Sequence, residues 1–139
     1  MLAGQCLCGA VRYEIDGRIS IIWFCHCSLC RKSSGSAFNS AAVCPKAKFR
    51  WLGGEDQICE YQQSDRYRTR FCRTCGSPCP LSLADSDLVW LPVGTLTDDP
   101  VSRPAHHIFV DSKAAWFEIH DDLPQHPEHA PGTGGGGDG

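Results

Sequence analysis

The sequence lacks a basic excess. Its 139 residues carry 13 lysines and arginines against 16 aspartates and glutamates, a formal net charge of −3. A nucleic-acid-binding protein usually shows clustered positive charge, so this balance argues against that class. It leaves room for a small anionic substrate, which needs only a local basic patch. Also missing is an apolar run of the ~20 residues that cross a bilayer; Ile21-Ile22-Trp23-Phe24 is among the strongest runs and is far too short. The opening residues, MLAGQCLCGA, show no basic stretch followed by an apolar one, the mark of a secretory signal. The expectation is a cytoplasmic protein with no membrane or nucleic-acid partner. No repeat at solenoid or propeller period is visible, and the length fits one domain.

Long helical patterns are scarce too. Prolines at 92, 100, 104 and 124 punctuate the second half, and proline breaks helix interiors. Only residues 28–34 and 111–115 leave room for a helical turn. Elsewhere the pattern is β. Val11-Arg12-Tyr13-Glu14-Ile15 alternates apolar and polar, and Ile19 to Phe24 is a continuous β-branched and aromatic run. Further strands are expected at 36–43, 66–71, 81–83, 88–93, 107–110 and 116–119. A hairpin is expected between 47–51 and 57–61, around Gly53-Gly54. The fold class is therefore mainly β with little helix. Beyond Leu123 the sequence turns to proline, glycine and histidine, ending GTGGGGDG. Such composition buries little, so residues 1–123 are expected to form the domain and 124–139 a flexible tail. His126 and His129 fall in that tail and are discounted as ligands.

Cysteine is what the chain has in plenty. Seven of the ten cysteines fall into three clusters: Cys6-Leu7-Cys8, Cys25-His26-Cys27-Ser28-Leu29-Cys30, and Cys72-Arg73-Thr74-Cys75. They divide as four plus three. Four thiolates close the shell of a tetrahedral zinc, whereas three leave a position for water or substrate. Along an extended strand, cysteines at i and i+2 share a face about 7 Å apart, and two converging side chains can close to the ~4 Å that ~2.3 Å zinc–sulfur bonds require. Gly9 and Gly76, each directly after a cysteine, permit the left-handed backbone of a metal-wrapping turn. Cys6, Cys8, Cys72 and Cys75 thus read as a structural site joining the first strand to the middle of the chain. Cys25, Cys27 and Cys30 read as an open one. Three thiolates and Zn²⁺ sum to −1, which weakens the metal toward water and suits it to a fourth sulfur, since a coordinated thiol loses its proton and becomes nucleophilic. The alternatives are a disulfide framework using Cys44, Cys59 and Cys79, or a second closed site whose fourth ligand is His26, Cys44, Cys59, Cys79 or a histidine of the C-terminal half.

At these residues a resemblance becomes specific. The stretches Gly4-Gln5-Cys6-Leu7-Cys8-Gly9-Ala10-Val11, Cys25-His26-Cys27-Ser28-Leu29-Cys30-Arg31, Gly35-Ser36-Ala37-Phe38, Phe71-Cys72-Arg73-Thr74-Cys75-Gly76-Ser77-Pro78, Gly94-Thr95-Leu96 and His107-Ile108-Phe109-Val110-Asp111-Ser112-Lys113, leading to Trp116, resemble the glutathione-dependent formaldehyde-activating enzyme family. Its domain also occurs in centromere protein V. The resemblance spans residues 4–123. It implies several small coiled antiparallel sheets and two zinc ions per chain. Cys6, Cys8, Cys72 and Cys75 would hold the structural zinc, and Cys25, Cys27 and Cys30 the catalytic one. It also implies a carbon–sulfur lyase that adds glutathione, or a similar small thiol, to formaldehyde. Cys79 departs from the pattern where an apolar residue is usual, and Ala114-Ala115 stands where Ala-Pro is common.

Other residues are weighed singly. Arg31 and Lys32, beside the open site, are candidates to meet an anionic thiol substrate. Arg66, Arg68 and Arg70 share a strand face and read as a solvated outer face or a docking strip for carboxylates. His26, between two ligands, points away from the metal by alternation. His107 reads as a hydrogen-bonded core histidine, with a proton relay or loop-ordering role as the alternative. Phe38, Trp90 and Trp116 read as core, with walls of a substrate pocket as the alternative, and Cys44 and Cys79 as small buried hydrophobes. The expected function is addition of a small thiol to an aldehyde carbon. The alternatives are a non-catalytic zinc-binding interaction module, and the same scaffold acting on a different thiol or electrophile.

Overall fold

The computed structural model describes residues 1–131. In chain order the elements are β1 (Leu2–Gln5), β2 (Arg12–Ile15), β3 (Ile22–Cys25), α1 (Ser28–Ser34), β4 (Asn39–Pro45), β5 (Phe49–Gly53), β6 (Ile58–Gln62), β7 (Arg68–Cys72), β8 (Leu81–Ser82), β9 (Leu88–Pro92) and β10 (Pro104–Ile108). They form a three-stranded sheet in the order β1-β2-β5, a five-stranded sheet β10-β3-β4-β9-β8, and the pair β6-β7. The chain is mainly β, in several small sheets, as expected. Between the named strands all pairings are antiparallel except β10 against β3, which is parallel.

The principal core lies between the first two sheets. Tyr13 and Ile15 from β2, Ile22 from β3, Ala42 and Cys44 from β4, and Val89 and Leu91 from β9 are buried together. Tyr13 organises the first sheet: its ring stacks on Phe49 at 5.4 Å and meets Trp51 edge-on at 6.3 Å. This explains why the expected hairpin around Gly53-Gly54 does not form. The aromatic residues of β5 pair with β2, in the register Tyr13↔Trp51 and Ile15↔Phe49. Gly54, at φ +85°, and a 3-10 turn over Glu55–Gln57 redirect the chain. β6 then pairs with β7 instead, in the register Cys59↔Phe71.

β1 has no strong β-formers, and the sequence pattern passes it over. It exists because Gly4 lies flat against Tyr13: a Cβ at that position would sit 2.3 Å from the ring's Cζ. Tyr13 cannot withdraw, being buried and hydrogen-bonded through its hydroxyl to Thr95 Oγ1 at 2.7 Å. Overpacking a well-filled site costs about 1–3 kcal/mol, and losing the hydroxyl's partner adds about 1 kcal/mol. Gly4→Ala is therefore expected to lower stability by about 2–4 kcal/mol in a urea titration, since both terms act together. In the double variant with Tyr13→Phe the loss will be smaller than the sum of the single losses. Simple additivity would show that the two residues do not touch.

The expected strand at 116–119 does not form. Trp116 stands 74% exposed and is not core, while the ring of Phe117 packs 5.7 Å from Phe38. The stretch after Leu123 also differs from its composition-based reading. Its first part runs beside β10: His107 N–H donates to the Pro124 carbonyl (2.9 Å), His126 N–H to the His107 carbonyl (2.9 Å), and Phe109 N–H to the Glu128 carbonyl (3.0 Å). β10 is an edge strand, and an edge offers unpaired backbone groups to any chain of suitable shape. Composition reports side chains, and here the backbone makes the contact. The glycine-rich remainder of the expected tail, 132–139, lies outside the described residues.

Candidate metal centres

The first cluster joins two sheets. Cys6 and Cys8 follow β1, and Cys72 ends β7. The sulfurs of Cys6, Cys8, Cys72 and Cys75 all lie within 4.8 Å of one another. Cys6 Sγ is 3.6 Å from Cys8 Sγ, and Cys8 Sγ is 3.8 Å from Cys72 Sγ. A tetrahedron of ~2.3 Å zinc–sulfur bonds has edges of about 3.8 Å, so the donor set fits a zinc-sized ion. The same spacing is far beyond the ~2.05 Å of a disulfide, and all ten cysteines are free thiols.

The local backbone differs from the extended Cys-x-Cys pictured from sequence. Gly9 N–H donates to the Cys6 carbonyl at 3.1 Å, and Gly76 N–H to the Cys72 carbonyl at 2.8 Å. Both pairs sit on tight turns, which bring together sulfurs two residues apart at Cys6 and Cys8 and three apart at Cys72 and Cys75. Gly9 and Gly76 take φ of +82° and +76°. Ser77 laces the turns together: its hydroxyl accepts from Leu7 N–H at 2.8 Å and lies 3.4 Å from Cys75 Sγ. Hydrogen bonding to the side chain and backbone of Ser77 holds Cys75 down at about 5. Cys79 lies buried beside Cys6 and Cys72, and burial pushes its thiol up to about 12. It behaves as the small hydrophobe expected, as does Cys44 in the main core.

The second cluster is built where β3 meets α1. Cys25 is the last residue of β3, Cys27 is the N-cap of α1, and Cys30 lies in the helix with its side chain buried. The three sulfurs lie within 4.8 Å of one another, and among the described residues no fourth His, Cys, Asp or Glu joins them. Among the described residues none of the candidates for a fourth ligand joins the three sulfurs. His26 faces His107, Cys59 is on β6, His126 lies against His106, and His129 against Phe109. Hydrogen bonds from Cys25 and Cys30, then from the backbone N–H groups of Cys30 and Leu29, lower Cys27 to about 3. Cys25 is pushed up, by its hydrogen bonds to Cys27 and Cys30 and then by burial. One sulfur of the trio therefore carries charge readily and its neighbours resist, as expected of close thiols that only a cation would bring to the same charge.

The surroundings of the trio are dry. Tyr67, Ile108 and Ala130 are buried against Cys25 and Cys30, with Trp23, Leu29 and Phe109 partly buried around them; Cys27 is the half-exposed member. Tyr67 Oη reaches Cys30 Sγ at 3.7 Å and Ser33 Oγ at 2.9 Å. Tyr67 and Ser33 also line a cleft of about 450 Å³ together with Arg66, Arg68, Arg70 and Trp90. Neither Tyr67 nor Ser33 was singled out from sequence. The one signal for Tyr67 was its inward place in an alternating strand. Arg68 and Arg70 share a face, as expected, and both pair with Glu60 Oε1, at 2.9 and 3.0 Å. Among the described residues Arg66 has no ion pair. Trp90 is core, as expected, and among the described residues its buried indole N–H has no acceptor. Arg31 donates through Nε to the Ser112 carbonyl at 3.2 Å, while Lys32 is exposed on α1; neither lines the cleft.

Behind the trio runs a polar chain. His26 Nε2 lies 2.8 Å from His107 Nδ1, and His107 Nε2 lies 3.0 and 3.1 Å from the two oxygens of Asp121. Both rings are buried, enclosed by Phe24, Phe38 and Phe117. Burial above all, with the charges of Lys113 and Arg31 acting in the same direction, holds His26 down at about 4. The hydrogen bond from His107 keeps the Asp121 carboxyl below its usual range. His26 is turned from the sulfurs, as alternation required, and His107 is the hydrogen-bonded core histidine expected. The partnership between them was not expected.

A mainly β chain of several small sheets, carrying one four-cysteine and one three-cysteine cluster each able to hold a metal ion, is the class that fold and sites define. Residues 1–112 match the family described as "Glutathione-dependent formaldehyde-activating enzyme", and the chain belongs to that family. A curated protein of Halomonas elongata, named "Putative glutathione-dependent formaldehyde-activating enzyme", is 28% identical over 131 residues, covering 86% of this chain and 81% of its own. The crystal structure of a Rhodobacter sphaeroides protein shares the fold, with a TM-score of 0.58 at 24% identity, over 74% of this chain and 99% of that one. No helix of the described residues is long and apolar enough to cross a membrane.

Proposed function

We propose that the protein is an enzyme that reversibly joins a small thiol, glutathione or one like it, to the carbon of an aldehyde such as formaldehyde. Cys25, Cys27 and Cys30 would hold the catalytic zinc, and Cys6, Cys8, Cys72 and Cys75 a structural one. The observation that carries the reading is a trio of sulfur donors with no fourth donor from the described chain, beside a cleft walled by Tyr67 and Ser33. Zinc in such a shell supplies acidity to an arriving thiol and orients it. The thiol sulfur attacks the carbonyl carbon; the carbon–sulfur bond forms, the C=O π pair moves to oxygen, and that oxygen takes a proton. Tyr67 and Ser33 pin Cys30, and the apolar packing around Cys25 and Cys30 excludes water from them. The family's name and that of the Halomonas relative support glutathione as the thiol.

The cleft suits a thiol with carboxylates. Arg66 lines it and, among the described residues, makes no ion pair. Arg31 and Lys32 on α1 are the other cations near the trio. The test is NMR exchange between free glutathione and its hydroxymethyl adduct with formaldehyde, which the protein should accelerate over the unaided reaction. Cobalt placed in the trio should change its visible spectrum when glutathione is added. No acceleration and no spectral response would sink the reading. Arg66→Ala is expected to raise KM for glutathione about fivefold, as befits an exposed charge pair worth about 1 kcal/mol, with kcat unchanged. Lys32→Ala should do less; the reverse ranking would move the docking site from the cleft to α1.

A further inference from the structure

The His26–His107–Asp121 chain is unused by the reaction above, yet it touches the trio's backbone directly. His26 is the residue between Cys25 and Cys27. Its main-chain N–H donates to the Ile108 carbonyl at 3.0 Å, and its ring meets His107 at 2.8 Å. These two anchors, both on β10, fix the short link that carries two of the three sulfurs. α1 has seven residues, too few to be stable alone, so the link and the helix it caps both depend on anchors outside the helix.

Only one proton assignment satisfies both ring contacts with uncharged imidazoles. An ionised carboxylate can only accept, so His107 Nε2 must carry hydrogen and donate to Asp121. Its Nδ1 is then bare and accepts from His26 Nε2–H. That leaves His26 Nδ1 bare, and among the described residues no group reaches it although it is buried. A buried acceptor without a partner costs about 1–3 kcal/mol, and this cost follows directly from the lock. Asp121 also accepts from Leu123 N–H at 3.0 Å, which starts the segment that pairs with β10. It lies beyond the residues 1–112 that match the family.

We propose that Asp121 and His107 are positioning residues for the Cys25–Cys27–Cys30 centre: they lock the His26 ring, and His26 holds the link bearing Cys25 and Cys27 in metal-gripping shape. The inference rests on the trio as a metal centre and not on the aldehyde chemistry. Hydrogen-bonded groups behind a metal site typically change metal affinity 10–100-fold when removed.

The test uses the full chain labelled with ¹⁵N-histidine and loaded with ¹¹³Cd, whose resonances distinguish four-sulfur from three-sulfur coordination. In the wild type, His26 and His107 will each show a protonated Nε2 and a bare Nδ1. In Asp121→Ala the His107 nitrogens will drift toward tautomer averaging. Cadmium at the trio will be lost to a competing chelator about tenfold more readily, while the four-cysteine signal holds. Asp121→Asn, whose amide oxygen can still accept from Nε2–H, will restore most of both effects. A doubly protonated His107 in the wild type, or equal cadmium loss from both centres or from neither, would overturn the proposal. Both readouts are independent of turnover, so a failure of the thiol–aldehyde reading would leave them unchanged.

Discussion

Cys72→Ser is expected to leave the chain unfolded at neutral pH. Structural zinc sites contribute about 10–16 kcal/mol of apparent binding free energy, comparable with or larger than the whole stability of a domain, about 5–15 kcal/mol. The topology makes this chain especially dependent on that site. The β6–β7 pair has no strand partner in either other sheet. What fastens it to β1 and β2 is the four-sulfur cluster and a small buried group around it: Cys6, Val11, Cys72 and Cys79. Cys72 is fully buried, so serine there also leaves a polar oxygen among sulfurs. Far-UV circular dichroism will show loss of β structure, and a strong chelator added to the wild type will reproduce it with zinc release. A variant that melts cooperatively within about 2 kcal/mol of the wild type would show that the cluster holds no structural metal, because so small a change cannot accommodate the loss of such a site.

Cys27→Ala should have the opposite profile: a folded protein with no activity. Cys27 caps α1, its sulfur accepting from Cys30 N–H at 3.3 Å. Replacing an N-cap by alanine costs about 0.5–2 kcal/mol, which the domain can absorb. The chemistry cannot absorb it. Cys27 is the half-exposed member of the trio and the sulfur that most readily gives up its proton. Without it, two buried sulfurs remain and the incoming thiol loses its activating site. Metal activation is worth several kcal/mol, so the rate should fall by about three orders of magnitude, at 1.36 kcal/mol per tenfold, to the unaided background. Melting temperature and the rate of adduct exchange check the two halves separately. If Cys27→Ala and Cys72→Ser unfold alike, the division into a structural and a catalytic centre is wrong.

Much of this was legible from residues alone, and the legible parts share a reason. Metal-gripping cysteines lie two or three residues apart, so their grouping is a local property. The α1 boundaries and strand positions such as Val11–Ile15 follow from local periodicity in the same way. The misreadings were failures of long-range pairing. Phe49 and Trp51 look like one arm of a hairpin, but Tyr13, far away in the chain, recruits them into another sheet. Residues 124–128 look idle because their side chains are polar, yet the free edge of β10 needs only their backbone. Asp121 carried no signal: a surface-type carboxylate in a loop becomes the end of a buried histidine chain only when β10 and β3 lie side by side.

The sequence by itself determined which sulfurs group with which, how many each group contains, and that the framework is β, because spacing and alternation act over a few residues. Tertiary structure alone decided that the trio gains no fourth ligand from the described chain, that Tyr67 stands between Cys30 and a neighbouring cleft, and that Asp121 reaches the Cys25–Cys27 link through two rings. Those facts depend on where sheet edges and buried side chains from distant parts of the chain come to rest, and short-range pattern does not encode that.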